Sequence, residues 1–125
     1  MTPAYLILLL NAAVFGLYGL AFLFWPSAMA VWVTDAAPLS SSGVIDLRAT
    51  YGGMSLAVGG VLYLLARSPA HRRLGLQSVL LLMVCMAGGR LVGMLTDGDA
   101  NDTMGLYLAL ELFMAAVAGL ALKSR

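Results

Sequence analysis

The chain has 125 residues, of which 62% are hydrophobic and 10% are charged, and its formal net charge is +1. A soluble domain carries roughly a quarter charged residues, and a soluble fold of this length could not hide so much apolar surface. The composition therefore predicts one membrane domain over residues 1–125. The small net charge and the lack of a basic patch give no reason to expect nucleic-acid binding.

The sequence contains few residues that could bind a metal ion or form a disulfide. Cys85 is the only cysteine, so an intramolecular disulfide is excluded, and His71 is the only histidine. A zinc site needs a cluster of such ligands. We therefore expect no metal and no cofactor, and we find no phosphate loop or Ser–His–acid set.

Four apolar stretches are long enough to cross a bilayer, which takes about 20 helical residues. They cover about residues 5–25, 44–66, 74–95 and 104–122. None shows the alternation of a barrel strand. The sequence thus predicts an all-α bundle of four transmembrane helices. The first stretch, with Ala28-Met29-Ala30 after it, also resembles a signal peptide. Because no positive charge precedes it and it is long, we expect a retained helix.

The distribution of basic residues predicts the orientation of the bundle. The loop after the second stretch and the C-terminus hold all the basic residues outside the apolar stretches, namely Arg67, Arg72, Arg73, Lys123 and Arg125. The positive-inside rule then predicts that both termini lie on the cytoplasmic side of the membrane, with the lipid bilayer as the first partner. The first outer loop begins with apolar residues 26–34, which predict a short interfacial helix.

Four charged residues lie inside the apolar stretches: Asp46, Arg48, Arg90 and Glu111. At a rise of about 1.5 Å per residue, all four fall roughly 3 to 10 Å below the outer ends of their helices. Because ionised groups are costly in hydrocarbon, we expect a mutually paired polar cluster, with Arg90 and Glu111 as a bidentate pair.

Each member of this cluster also has a simpler interpretation. Asp46 would lie in the first helical turn, where an acid favours the helix dipole, and Arg48 could extend to the outer headgroups. Arg90 and Glu111 could be a purely structural pair or could handle a ligand or a proton. Two tyrosines complete the candidate site, with Tyr51 one turn from Arg48 and Tyr107 one turn from Glu111 and able to donate to it.

Small residues recur on the second and third stretches and predict close helix packing. The candidates are Gly52, Gly53, Gly59, Gly60, Gly89 and Gly93. Packing within one bundle and a homodimer face both remain open. Arg48, Gly52, Ser55 and Gly59 follow a helical line, which predicts an inward face.

Several of these residues together resemble a known family. Asp46-Leu47-Arg48-Ala49-Thr50-Tyr51-Gly52-Gly53, Gly59-Gly60, Gly89-Arg90-Leu91-Val92-Gly93, Asp97-Gly98 and Glu111 are similar to the pattern of small bacterial membrane proteins catalogued as domain of unknown function number four-three-four-five. The resemblance covers essentially the whole chain. It implies four helices and marks the charged cluster, without implying an activity.

Three classes of function remain open. The first is a structural or accessory subunit that packs with a partner, as a homodimer or in a larger membrane complex. The second is a transporter or binding protein for an anionic or zwitterionic solute, held by Arg48, Arg90 and Glu111. It predicts a pocket of a few hundred Å³ that contains both arginines. The third is a membrane enzyme, for which Glu111 with Tyr107 and Tyr51 is the only acid–base candidate.

Overall fold

The structure is a computed structural model that describes residues 1–124, and within them it contains helices and no strand. The elements in chain order are α1 (Pro3–Phe24), α2 (Pro26–Thr34), α3 (Ser41–Leu47), a π-helical segment (Arg48–Gly53), α4 (Met54–Arg67), a 3₁₀ turn (Pro69–His71), α5 (Arg72–Thr96) and α6 (Asp102–Lys123). Arg125, which contributes to the predicted basic C-terminus, lies outside the described residues.

Four continuous helical segments are long and apolar enough to cross a membrane. They are Pro3–Phe24, Ser41–Arg67, Pro69–Thr96 and Asp102–Lys123. The prediction of an all-helical fold with four such segments is confirmed. Each observed segment extends its predicted stretch at one or both ends, because a helix can continue beyond its apolar part and hydropathy does not define its terminal residues.

Side-chain caps explain where two of the helices begin. The Ser40 hydroxyl accepts a hydrogen bond from the Gly43 amide at 3.1 Å, and the Asn101 side chain accepts one from the Met104 amide at 3.0 Å. These contacts satisfy amides that have no partner within the helix. The second apolar segment therefore begins at Ser41, before its first large apolar residue.

A short helix, α2, occupies the first predicted outer loop. Pro26 starts it at a position where the missing amide has no cost, and Asp35 ends it in a left-handed conformation with φ 58°. Ala30 and Val33 are buried, whereas Trp25 and Trp32 are 65% and 60% exposed. The helix therefore has one packed side and one side that presents aromatic rings.

The π-helical segment Arg48–Gly53 interrupts the second apolar segment. Its wide turn is visible where the Met54 amide donates to the Ala49 carbonyl, five residues back. Such segments are rare and frequently occur at functional sites. The apolar spacing predicts a regular α-helix here, because spacing alone does not distinguish an α-helix from a π-helical segment.

The contacts divide the chain into two compact units. We call residues 9–64 the middle unit, and residues 1–8 with 65–124 the terminal unit. The prediction of one domain over the whole chain stays a prediction.

Close backbone approach of α1 to the second segment organises the middle unit. A Cβ atom on Gly59 would lie 2.8 Å from the Ala12 carbonyl oxygen, and one on Gly19 would lie 2.8 Å from the Gly52 carbonyl oxygen. These glycines are buried. Larger side chains would force the backbones apart, so glycine is what permits this packing in an apolar solvent.

In the terminal unit, α5 packs against α6. The buried residues of α5 recur every three or four positions and form one face, consisting of Leu76, Val79, Met83 and Ala87. Near its start, Gly75 lies against Leu8 and Leu65, where a Cβ atom would come within 2.7 Å of a Leu8 methyl carbon. This buried face of α5 leads directly to Arg90, one turn beyond Ala87.

Candidate functional site

Arg90 and Glu111 form a bidentate ion pair between α5 and α6. Arg90 Nε donates to Glu111 Oε2 at 3.1 Å, and Arg90 Nη2 donates to Oε1 at 2.6 Å. Nη1 donates to the Met104 sulfur at 3.1 Å. All three guanidinium nitrogens therefore have a partner on α6. The parallel geometry matches the planar fork of arginine to the carboxylate.

Neighbouring side chains shield this pair. Glu111 is 5% exposed, and the side chain of Arg90 is 17% exposed. The Tyr107 ring lies below the guanidinium, with 5.2 Å between the Arg90 Cζ atom and the ring centroid. Met104, Tyr107 and Glu111 are spaced by three and four residues, so one face of α6 presents all three to Arg90. Tyr107 thus contributes a cation–π contact.

This arrangement neutralises two charges inside apolar helices. A charge removed from water is costly unless it is paired and its remaining hydrogen-bond capacity is used. Arg90 is paired with Glu111, and each of its three guanidinium nitrogens makes at least one hydrogen bond, with the Tyr107 ring nearby. The arrangement favours a structural ion pair over a guanidinium that is ready to take a ligand.

Asp46 and Arg48 belong to the middle unit, and each has a partner there. Arg48 Nη1 donates to the Leu23 carbonyl in the last turn of α1. Asp46 Oδ1 accepts from the Thr50 hydroxyl at 3.3 Å. Asp46 was expected in the first turn of its helix, but α3 begins at Ser41, so the residue lies beyond the first turn. Ser40 and Ser41 extended the helix upstream of its apolar part.

Tyr51 also belongs to the π-helical segment and contacts the end of α1. Its ring stacks on Phe22 with centroids 5.1 Å apart, and Phe22 contacts Tyr18 at 4.9 Å. Phe22 is 2% exposed, whereas Tyr51 is 47% exposed. Arg48, Tyr51 and Gly52 therefore all contact the final turns of α1, since a Cβ atom on Gly52 would lie 3.0 Å from the Leu23 amide.

The six predicted packing glycines have different surroundings. Gly52 and Gly59 lie in close backbone contact, as described above. A Cβ atom on Gly53 would have only the Arg48 carbonyl oxygen nearby, at 3.9 Å, and one on Gly93 only an Asp97 carboxylate oxygen, at 3.5 Å. A Cβ atom on Gly60 or Gly89 would meet nothing within 4 Å. For these four glycines a packing role stays a prediction.

Arg72 makes several structural contacts, whereas the distribution of basic residues predicts only its side of the membrane. Its Nε donates to the Ala66 carbonyl at 2.9 Å, its Nη1 to the Thr2 hydroxyl at 3.3 Å, and its Cζ lies 5.0 Å from the Tyr5 ring centroid. Arg73 donates to the Leu122 carbonyl at 3.4 Å.

Three arginines therefore bind carbonyls in the last turn of a helix: Arg48 at the end of α1, Arg72 at the end of α4 and Arg73 at the end of α6. Cations favour the negative end of the helix dipole.

A groove of about 600 Å³ lies between α1 and α4 within the middle unit. Its lining is mostly apolar and includes Ala12, Gly16, Gly60 and Tyr63. Neither Arg48 nor Arg90 lines it. Among residues 1–124, no three His, Cys, Asp or Glu side chains come together in a geometry that could hold a metal ion.

Comparison with known proteins identifies one family. No curated protein and no solved structure matches the chain. The model of one family, described as Domain of unknown function (DUF4345), matches residues 4–122. That range includes the ion pair, the π-helical segment and all of the four long helical segments except their end residues Pro3 and Lys123. The resemblance noted from Asp46–Gly53, Gly89–Gly93 and Glu111 is thereby confirmed, and the chain belongs to the DUF4345 family.

Proposed function

We propose that this chain is a multi-pass protein of the bacterial inner membrane that acts as a structural or accessory subunit. The observation that carries the proposal is the closed Arg90–Glu111 pair. Every nitrogen of the Arg90 guanidinium has a partner on α6, and Glu111 is buried. A pair of this kind fixes two helices relative to each other and engages every nitrogen of the guanidinium within the protein.

The proposed topology places both termini and the Arg67–Arg73 loop in the cytoplasm. Four helical segments of sufficient length and apolar composition support the multi-pass arrangement. The orientation follows from the basic residues of that loop and of the C-terminus. It places α2 at the outer surface, where the exposed rings of Trp25 and Trp32 would lie among lipid headgroups.

Site-directed cysteine labelling tests this topology. In a Cys85→Ser background, single cysteines at Ser68 and Ser41 provide one position in each predicted compartment. In spheroplasts, a membrane-impermeant maleimide is expected to label Ser41→Cys and to spare Ser68→Cys until the membrane is permeabilised. Labelling of Ser68→Cys in intact spheroplasts would reverse the orientation.

The accessory role draws support from the surface of α5. Gly88 and Gly89 are exposed, and a Cβ atom on either would meet nothing within 4 Å. Internal packing therefore does not require glycine there, whereas a closely approaching partner helix would. We propose that a second copy of the chain or another membrane protein packs against this part of α5.

Purification after crosslinking in the membrane tests the accessory role. A partner present in fixed stoichiometry, or a defined homo-oligomer, is the expected result. A protein that purifies alone as a stable, monodisperse monomer, with no crosslinked species, would contradict this role. The topology experiment is independent of this outcome.

A binding protein for an anionic solute is the second candidate, and one observation favours it. Arg48 is exposed, and the acceptor of its hydrogen bond is a neutral carbonyl. Its positive charge is thus not cancelled by that contact. Arg90 and Glu111 contribute little to this candidate, because each satisfies the other. A membrane enzyme would have to use the same engaged Glu111 carboxylate, and we do not propose it.

A further inference from the structure

The Arg48 guanidinium has unused binding capacity at the end of a membrane helix. Nη1 donates to the Leu23 carbonyl, and the structure gives Nε and Nη2 no other partner among residues 1–124. An ionised group in an apolar segment needs a counter-charge or access to water. The nearest acid in sequence is Asp46, two positions away, and residues so spaced on a helix do not face each other. The carboxylate of Asp46 instead accepts from Thr50.

The contact with Leu23 determines the depth of the Arg48 guanidinium in the membrane. Leu23 lies in the last turn of α1, and Trp25 follows the end of that helix with 65% of its surface exposed. Exposed tryptophan is typical of the boundary between hydrocarbon and headgroups. With the proposed orientation, the Arg48 guanidinium lies at the headgroup level of the outer leaflet, although its Cα atom lies roughly 10 Å below the start of the helical segment.

The π-helical segment also contains Tyr51, three residues after Arg48, and the two side chains contact adjacent residues, Phe22 and Leu23, at the end of α1. Tyr51 is fixed by stacking on the buried ring of Phe22, and it remains 47% exposed. A guanidinium together with a phenol offers charge-assisted hydrogen bonds to the oxygens of a phosphate. In a membrane, the most abundant anion at this level is the phosphodiester of a phospholipid.

We propose that Arg48, assisted by Tyr51, binds the phosphate of an outer-leaflet phospholipid. The inference rests on the proposed topology and is independent of the accessory-subunit role. A free phosphate-bearing solute presents the same chemistry, so the experiment must separate the two sources.

Lipid binding to the delipidated protein in a neutral detergent tests the proposal, by native mass spectrometry and thermal shift. The probes are phosphatidylglycerol, phosphatidylethanolamine, diacylglycerol as the matched lipid without phosphate, and inorganic phosphate. Phosphatidylglycerol and phosphatidylethanolamine are expected to bind and stabilise the wild type, and diacylglycerol is not. Arg48→Gln should weaken phospholipid binding about tenfold, and Tyr51→Phe should weaken it less.

Arg73→Gln is the matched control, because Arg73 is also exposed and also donates to a carbonyl in the last turn of a helix. It should bind phospholipid as the wild type does in this assay. If Arg73→Gln and Arg48→Gln weakened phospholipid binding equally, the binding would be general electrostatic attraction, and the proposed site would be wrong. Equal binding of diacylglycerol, or no effect of Arg48→Gln, would overturn it too. If inorganic phosphate gave the full stabilisation and phospholipid added nothing to it, the ligand would be a free phosphate and not a lipid.

A second variant keeps the test valid if Arg48→Gln does not fold. Arg48→Lys retains the charge and loses the planar guanidinium, so severalfold weaker phospholipid binding is expected. Binding equal to that of the wild type would contradict a guanidinium–phosphate contact. Because these measurements are made in detergent, their outcome is separate from that of the cysteine labelling that tests orientation.

Discussion

Both carboxylate oxygens of Glu111 accept hydrogen bonds from the guanidinium of Arg90, at 2.6 and 3.1 Å. The two residues are 21 positions apart and lie on different helices, so their contact determines how α5 and α6 pair. The continuation of the buried face of α5 from Ala87 to Arg90 brings the guanidinium to this position. The pair is therefore part of the helix packing, and its energetic role can be measured.

Removal of one member should be more harmful than removal of both. Glu111→Ala leaves the Arg90 charge buried without its partner, and the expected cost is about 3–5 kcal/mol. Arg90→Leu combined with Glu111→Leu should cost much less, because no charge is stranded. Thermal unfolding in detergent measures both. Single variants that unfold at the wild-type temperature would mean that the pair contributes nothing to stability.

The adjacent glycines Gly59 and Gly60 provide a matched test of helix packing. Gly59→Ala should destabilise the protein by about 1–3 kcal/mol, because its Cβ atom would lie 2.8 Å from the Ala12 carbonyl oxygen. Gly60→Ala should be neutral or slightly stabilising, since its Cβ atom would meet nothing within 4 Å and alanine is the better helix former. Unfolding temperatures of the two variants decide this. Equal effects would contradict the close approach of α1 and α4.

The sequence predicted the fold more completely than it predicted the contacts. Apolar length identified all four long segments, and the need to neutralise two deep charges predicted the pairing of Arg90 with Glu111. The π-helical segment was not predicted, because the spacing of the small and polar residues from Arg48 to Gly59 is compatible with an α-helix. Likewise, no pattern in the sequence indicates that Arg48 donates to the carbonyl of Leu23, since that contact depends on where α1 ends.

Arg72 and Arg73 are neighbours in the chain with very different surroundings. Variants of the two therefore separate the effect of specific hydrogen bonds from the effect of charge. Arg72→Lys keeps the charge and cannot reproduce both hydrogen bonds to Ala66 and Thr2, so we expect a loss of about 1–2 kcal/mol. Arg73→Lys should have little effect, because Arg73 is exposed and its bond to Leu122 is long at 3.4 Å. Comparison of their unfolding temperatures is the measurement. A larger effect at Arg73 would refute this assignment.

Gly89 tests whether α5 presents a surface for another helix. Gly89→Leu adds a large side chain where a Cβ atom has open space, so the isolated chain should fold with an unfolding temperature near that of the wild type. If a second copy packs there, the same substitution should abolish the crosslinked dimer in membranes. Leu95→Ala, on an exposed residue of the same helix, is the control and should leave crosslinking unchanged. A dimer that persists in Gly89→Leu would move the interface away from this glycine, whereas a destabilised monomer would show that Gly89 serves internal packing after all.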